Sequence, residues 1–361
     1  MAVTVFSCHR YLIVNPYSYW YIFFFFEVKF AEGKAIFKEK QPTGSRTYSH
    51  LFWIELLLLE DTKRFKMSST ISIVQNDRPN PTAAYSEISS EFLVERIVQL
   101  YGQISVLESL KPSNIVNTLL TQLVHVCTMP IYIDINELSK DVKKIRYNLI
   151  LLCAEAEYLL ETHFSVLIGN LPNPLANLHL FPYYSNYINL ASMEFNALCG
   201  KNIPSPISKL AFVGSGPMPL SSIVLAKQHM PSTLFENYDI DQEANSMASR
   251  LVISDPELSK RMIFHTSDIN DVGKDKLAEY DVVILAALVG LKREQKVEII
   301  ELLGRNMRPG AALLLRSAKG ARSFLYPVVE EEDLANNGFK ILSVIHPNNE
   351  VINSIILALK P

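Results

Sequence analysis

Apolar positions in the second half of the chain come in short unbroken runs separated by amphipathic stretches. The runs Leu210 to Val213, Thr233 to Tyr238, Arg261 to His265, Tyr280 to Leu285 and Ala311 to Leu315 are expected strands. Between them, Pro219 to His229, Gln242 to Val252 and Lys292 to Leu303 carry helical spacing. Continuous apolar strands alternating with amphipathic helices are the pattern of a parallel sheet covered on both faces. The last two runs, Lys340 to Val344 and Ile352 to Leu359, have no helix between them and are expected to form an antiparallel hairpin that closes the sheet.

The preceding stretch keeps a different period. After a polar lead-in from Asp77 to Pro81, Ser89 or Ser90 can cap a helix with Leu93, Ile97, Tyr101 and Ile104 on one face. A second helix is expected over Ser113 to Cys127. A third runs from about Leu138 to Leu167, with Val142, Ile145, Leu149, Leu152, Ala156, Leu160, Phe164 and Leu167 on one stripe. The segment from Gly169 to Tyr187 contains Pro172, Pro174 and Pro182 and is expected as loop, followed by a short helix from Asn189 to Leu198. The expected division is a helical domain over 67–205 and an α/β domain over 206–361.

Composition narrows the class. The chain has 361 residues, 48% of them apolar, and a net charge of -3, so it can bury one large core or two moderate ones. No Lys/Arg-rich patch is present to neutralise phosphates, which argues against nucleic acid as a partner. Cys8, Cys127, Cys153 and Cys199 are scattered, without a Cys-x-x-Cys or His-x-x-x-His spacing, and point to thiols in a reducing compartment rather than to zinc. A cytoplasmic protein with no metal site is expected. Residues 1–66 differ in texture: Tyr11 to Phe26 is uncharged, but Pro16 interrupts it, and it falls short of the roughly 20 apolar residues of a spanning helix. A membrane span is not expected there. The extension is read as disordered or absent from the mature protein, with Met67 as a suitable start.

In an open parallel sheet, ligands bind beyond the carboxyl ends of the strands where strand order reverses. The stretch "FVGSGPMPLSS" therefore draws attention, because Gly214 and Gly216 allow a tight turn and close backbone approach. Pro217 and Pro219 suit a first helical turn but supply no N–H for a pyrophosphate, which favours a ligand without phosphates. Asp239 lies about twenty residues beyond Gly216, the spacing at which a carboxylate accepts from ribose hydroxyls. Asp268 can take an adenine amino group. A phosphate-free nucleoside in this setting suggests S-adenosylmethionine. Ser215, Asp241, Thr266, Ala286 and Ala287 complete the candidate cofactor-binding positions, and no further cofactor is expected. The bland reading of the two aspartates is that strand ends are simply polar.

The motifs then become specific. "FVGSGPMPLSSIVLA", "NYDIDQEAN", "DVVILAALVG", "LRSAKGARSFLYPVV" and "HPNNEVINSII", with "FPYYSNY" and "CAEAEYLLETHF" in the helical half, resemble the plant nicotianamine synthases over about residues 85–361. The resemblance implies a class I methyltransferase-like (Rossmann-type) α/β sheet, with its antiparallel strand at the edge, and an all-helical N-terminal domain. It implies condensation of three S-adenosylmethionine molecules into nicotianamine, with methylthioadenosine released at each transfer. That product would chelate iron, copper and zinc through its carboxylates and amines. The sequence departs from the family at Ala154, usually glycine, near Tyr158, usually small or polar, and slightly in the loop "KGARS". A small-molecule N-methyltransferase on the same sheet, and a catalytically silent S-adenosylmethionine-binding paralogue, are the alternative readings.

An amine that attacks a sulfonium-bound carbon must lose a proton, and a carboxylate near the sulfonium can accept it. Glu157 and Glu161 stand one turn apart on the flank of the long apolar stripe, where partial burial would raise a carboxyl pKa. The resemblance places the catalytic glutamate at Glu161 and its tyrosine partner at Tyr187, with Glu157 in reserve. Tyr183 and Tyr184 are expected mainly to pack. Arg316 is expected, and Arg322 with it, to bind a substrate carboxylate through parallel hydrogen bonds, the alternative being ion pairs with the acidic run Glu330 to Asp333. A small-molecule substrate is the expected partner, with a homo-oligomer left open.

Overall fold

In the computed structural model the described residues are 26–31, 34–39, 89–199, 203 and 206–361. Strands β1 (Phe26–Ala31) and β2 (Lys34–Glu39) pair as an antiparallel hairpin inside the N-terminal extension, which was not expected to hold strands. Most of the extension, including the uncharged run up to residue 25, lies outside the described residues, as does the lead-in Asp77 to Pro81. Among the described residues no helix is long and apolar enough to cross a membrane.

A separate compact unit spans Asn76–Pro361. It opens with helices α1 (Ser90–Ile104), α2 (Asn114–Thr128) and α3 (Lys140–Gly169). Each begins at a serine whose hydroxyl accepts from an otherwise orphaned N–H: Ser89 from Phe92, Ser113 from Val116 and Ser139 from Val142. The expected proline loop is partly ordered as a 3-10 turn, Pro174–Leu180, and α4 starts earlier than expected, covering Tyr184–Leu198.

The sheet follows. Its elements are β3 (Lys209–Val213), α5 (Leu220–Val224), β4 (Leu234–Asp239), α6 (Gln242–Val252), α7 (Pro256–Arg261), β5 (Met262–Thr266), α8 (Lys274–Leu277) and β6 (Val282–Leu285). After these come α9 (Arg293–Asn306), β7 (Ala312–Ser317), α10 (Glu331–Ala335), β8 (Lys340–Ile345) and β9 (Ser354–Leu359). The helix expected from Pro219 to His229 divides at Leu225 into a π-helical turn.

Strand order is β5-β4-β3-β6-β7-β9-β8, so the direction of winding reverses at β3, between β4 and β6. The antiparallel strand is not at the edge as expected: β9 inserts between β7 and β8, antiparallel to both. Burial explains the order. Five of the six β9 residues are buried, so β9 needs cover on both sides, whereas β8 is only partly buried and tolerates the edge.

Alternate strand residues feed two cores. Leu210, Phe212, Val282, Ile284 and Leu314 face α4, α5 and α6, and Ala211, Val213, Val283, Leu285 and Leu315 face α9. The helical half does not close its core alone. Leu93, Ile97, Leu123, Leu149 and Ala156 pack with Ala321, Phe324, Leu325 and Ile352 from the α/β half. Helices and sheet are thereby held as one unit, which is what keeps α3 against the strand ends.

One buried charge anchors the sheet. Glu236 on β4 is 2% exposed and is met by Lys209 (2.7 Å), Lys276 (2.8 Å), His265 (2.8 Å) and the Tyr280 hydroxyl (3.0 Å). Burial alone would raise its pKa, but the bonds from Lys209, Lys276 and Tyr280 outweigh this and hold it at about 2, below the ordinary 4.5. A depressed carboxylate contributes stability that is present above its unfolded pKa and is lost as pH falls towards the folded value. Glu236→Gln should therefore cost about 3 kcal/mol at pH 7 and lower Tm by roughly 5–10 °C. Its stability should also vary less than that of the parent as pH falls from the ordinary carboxylate range towards 2, which calorimetry across that range checks.

Candidate active site

The turn after β3 is built by backbone bonds to the neighbouring strand. Gly214 and Ser215 both donate their N–H to the Tyr238 carbonyl, at 2.8 and 3.2 Å, and Gly216 donates to Asp239 Oδ2 at 2.8 Å. The two glycines have φ of 80° and 66°, the left-handed region that glycine enters without a Cβ clash. Space also excludes a side chain: a Cβ on Gly214 would run into Val289 Cγ2, and one on Gly216 would stand 2.8 Å from Glu161 Oε2. The second contact is the central fact of the site. It puts a carboxylate of the helical half directly on the turn of the sheet.

Helix α3 is tied there by two further bonds. Ser165 Oγ donates to the Pro217 carbonyl at 2.6 Å, and the Tyr158 hydroxyl donates to Asp241 Oδ2 at 2.6 Å. Tyr158 thus bridges to the loop after β4. Asp239 uses each oxygen once on the backbone, since Oδ1 also accepts from the Asp241 N–H at 3.0 Å. Thr266 Oγ1 accepts from Asn245 Nδ2 at 3.0 Å, and Asp268 Oδ1 accepts from Asn270 N at 2.9 Å. These side chains, with Ala286 at the end of β6, ring the carboxyl ends of β3 to β6. Ser215 Oγ and Asn245 Oδ1 are buried without a hydrogen-bond partner in the protein. Such atoms cost roughly 1–3 kcal/mol unless something polar meets them.

Across the turn lie two carboxyls and two phenols. The Tyr187 hydroxyl is 3.0 Å from Glu161 Oε1 and 3.3 Å from Glu157 Oε1, and the Tyr326 hydroxyl is 2.7 Å from Glu157 Oε2. Tyr187 has one hydrogen, so with both carboxyls ionised one of its contacts would oppose lone pairs; a proton on either carboxyl removes the conflict. Burial raises the Glu161 pKa well above the ordinary carboxylate range, and the neighbouring Glu157 adds to the rise. Burial also raises Glu157, more than its bonds from Tyr326 and Tyr187 lower it. The two titrate as a unit. Tyr187 and Tyr326 are pushed well up, first by burial and then by the adjacent carboxylates, and act as hydrogen-bond donors.

The arginines depart from expectation. Arg316 does not pair with Glu330 to Asp333; Asp333 takes Arg293 instead, at 2.7 Å. The parallel hydrogen bonds expected for a substrate carboxylate go to Glu194, from Nε at 2.6 Å and Nη2 at 3.1 Å, and Nη2 also donates to Ser221 Oγ at 2.6 Å. These bonds leave Nη1 for another acceptor. A guanidinium in so enclosed a place needs an internal counter-charge, and Glu194, fully buried, supplies it. Arg322 donates to the carbonyls of Val351 (3.2 Å) and Asn349 (2.7 Å) and lines a separate hollow with Met129, Ile131 and His346. It is not among the groups gathered around Glu161.

Sequence reasoning missed Tyr326, Glu194, Ser221 and Ser165. A signal for Glu194 was available, since it is the single charge in α4 and recurs with Leu190, Ala191 and Leu198 on the buried face. Tyr326 gave none, because its approach to Glu157 depends on how the turn after β7 folds.

Residues 85–361 match the profile of one protein family, described as Nicotianamine synthase protein. The chain belongs to the nicotianamine synthase family. It is 53% identical to Nicotianamine synthase of Solanum lycopersicum over 272 residues, which is 75% of this chain and 84% of that protein. It is 52% identical to Nicotianamine synthase 1 of Arabidopsis thaliana over 275 residues, 75% and 85% of the respective chains. Among solved structures, MtNAS in complex with MTA and tNA aligns with a TM-score of 0.59 at 20% identity, over 74% of this chain and 97% of that one. A mutant of MtNAS in complex with S-adenosylmethionine aligns with a TM-score of 0.60 at 18% identity and the same coverage. The shared fold is the class I methyltransferase-like sheet with helices packed against it. As a family member the chain is an S-adenosylmethionine-dependent transferase of an alkyl group other than methyl.

Gly216→Ala probes the contact between the halves. It should cost about 1–2 kcal/mol of stability, because residue 216 lies at positive φ, and displace the Glu161 carboxyl, lowering kcat/KM by about 100-fold. Steady-state kinetics together with a melting curve check this; near-parent activity would mean that the Glu161 position is not critical.

Proposed function

We propose that this chain condenses three S-adenosylmethionine molecules into nicotianamine, with Glu161 as the general base and Tyr187 as its hydrogen-bond partner. The observation that carries the proposal is the Glu161 carboxyl lying against Gly216, at the mouth of the nucleoside cradle, with its pKa raised by burial and by Glu157. A sulfonium has three electrophilic carbons. The one that reacts is the one presented in line with the nucleophile, so choice of bond is a matter of positioning.

Each transfer begins with an α-ammonium group that must lose a proton to expose its lone pair. Glu161, ionised, accepts that proton. The amine nitrogen then attacks Cγ of the methionyl chain of an S-adenosylmethionine, a C–N bond forms, and the Cγ–S bond breaks with its electron pair left on sulfur. Methylthioadenosine departs neutral and Glu161 returns its proton to solvent before the next transfer. Asp239 and the Gly214 turn hold the ribose, with Asp241, Thr266, Asp268 and Ala287 around the rest of the nucleoside. Arg316, charge-balanced by Glu194, offers Nη1 to a substrate carboxylate. Glu157 raises the basicity of Glu161 and, through Tyr187, shares its proton.

Incubation of the protein with S-adenosylmethionine alone tests the reaction: methylthioadenosine and nicotianamine are expected. S-adenosylhomocysteine formed only with an added acceptor would make it a methyltransferase, and binding without turnover would make it a silent relative. Glu161→Gln should keep nucleoside binding and lose product formation by about 10²–10⁴-fold; full activity would remove the base assignment. Because Glu161 works ionised, kcat/KM should rise with pH along a limb above the ordinary carboxylate range. Glu157→Gln removes a neighbouring negative charge and should move that limb to lower pH, which a pH–rate profile measures.

A further inference from the structure

Lys296, on the first turns of α9, is 2% exposed, and among the described residues its ammonium meets no carboxylate. Its Nζ donates instead to the carbonyls of Ala286 (3.0 Å) and Ala287 (2.8 Å), in the loop that follows β6. Burial of the charge lowers its pKa to about 7. An apolar side chain of similar length would avoid the desolvation cost, so the amine calls for a reason beyond packing.

The loop it holds is part of the nucleoside cradle. Ala286 N bonds the Val213 carbonyl at 3.0 Å, which fixes the loop to the end of β3. Val289 and Ala286 form the wall against which Gly214 turns. Gly290, with φ of 71°, lets the chain pass close to the Lys296 backbone; a Cβ there would stand 2.9 Å from Lys296 N. In a trans peptide the N–H points opposite to the C=O of the same unit. With both carbonyls drawn to Lys296, the N–H groups of Ala287 and Leu288 point away from it, and among the described residues neither makes a backbone hydrogen bond, unlike the N–H groups of Ala286 and Val289.

We infer that Lys296 is a positioning residue for nucleoside binding: by clamping the Ala286 and Ala287 carbonyls it turns the Ala287 and Leu288 N–H groups outward as donors to the adenosine portion of the substrate. The inference rests on the reading of this cleft as the S-adenosylmethionine site. The contribution is to binding, which S-adenosylmethionine and its transition state share, so it belongs in KM and not in kcat.

The test uses Lys296→Met, which keeps the stem and removes the donors, and methylthioadenosine as a probe that has the adenosine but no amino-acid portion. Calorimetry should show binding weakened by about tenfold, with KM for S-adenosylmethionine raised in parallel and kcat unchanged within about twofold. Lys296→Gln, which retains a donor at shorter reach, should fall between. Parent affinity in Lys296→Met, or a fall in kcat with KM unchanged, overturns the inference while leaving the cofactor reading standing. Absence of methylthioadenosine binding by the parent protein overturns both. In the parent, ¹⁵N-detected amide shifts supply a check independent of how well the variants fold: the Ala287 and Leu288 signals should move on adding methylthioadenosine, and unmoved signals overturn the inference.

Discussion

The contact on which the site depends is that between the Glu161 carboxyl and the Cβ-less face of Gly216. It joins two things that the chain builds separately: a helix that carries the proposed base and a sheet turn that forms the proposed nucleoside cradle. Every neighbouring feature serves that approach. The positive φ of Gly216 opens the space, Ser165 and Tyr158 fasten α3 to the loops after β3 and β4, and the shared core around Ala321, Phe324 and Ile352 prevents the helices from moving off the sheet. A side chain at residue 216, or an independent helical core, would break the arrangement at its narrowest point.

The electrostatics of the site follow from the same enclosure. Two glutamates one helical turn apart cannot both ionise freely away from water: burial raises both, and the charge of Glu157 raises Glu161 further. Two phenols and one arginine stand nearby, and the arginine is already balanced by Glu194 at 2.6 Å. The net result is a pair able to hold one proton above the ordinary carboxylate range and to pass it, which suits the proposed removal of a proton from an ammonium at every transfer. Placing the proposed base on the helical wall, against the Gly216 turn whose N–H bonds Asp239, suggests how a methyltransferase-like sheet serves a different bond of the same sulfonium: the sheet fixes the nucleoside, and the helical wall decides where the nucleophile stands.

Much of the fold was legible because burial leaves a period in the sequence. Strands β3 to β7 and helices α1 to α3 show it plainly, with serines marking the helix starts. The place of β9 was not legible, since a hairpin pattern fixes the pairing of two strands but not which of them faces the rest of the sheet; that is decided by how completely each is buried. The 3-10 turn at Pro174–Leu180 was hidden by proline, which signals a break in helix without excluding a tighter turn. In the site, the glycine turn and Asp239 were visible through local spacing, and Glu161 and Tyr187 only through family resemblance. The engagement of Arg316 by Glu194 spans 122 residues, and no local pattern announces a pair so distant.

The claim that a buried carboxyl pair supplies the base can be read directly by infrared titration of the protein labelled with ¹³C-glutamate. The expected result is a protonated carboxyl band that persists above the ordinary glutamate range of about 4.3, is lost as pH rises further, and is altered in Glu161→Gln. If all glutamate carboxyls are ionised once the pH passes that ordinary range, or if the persisting band is unchanged in Glu161→Gln, the pair does not hold the proton and the account is wrong at its centre.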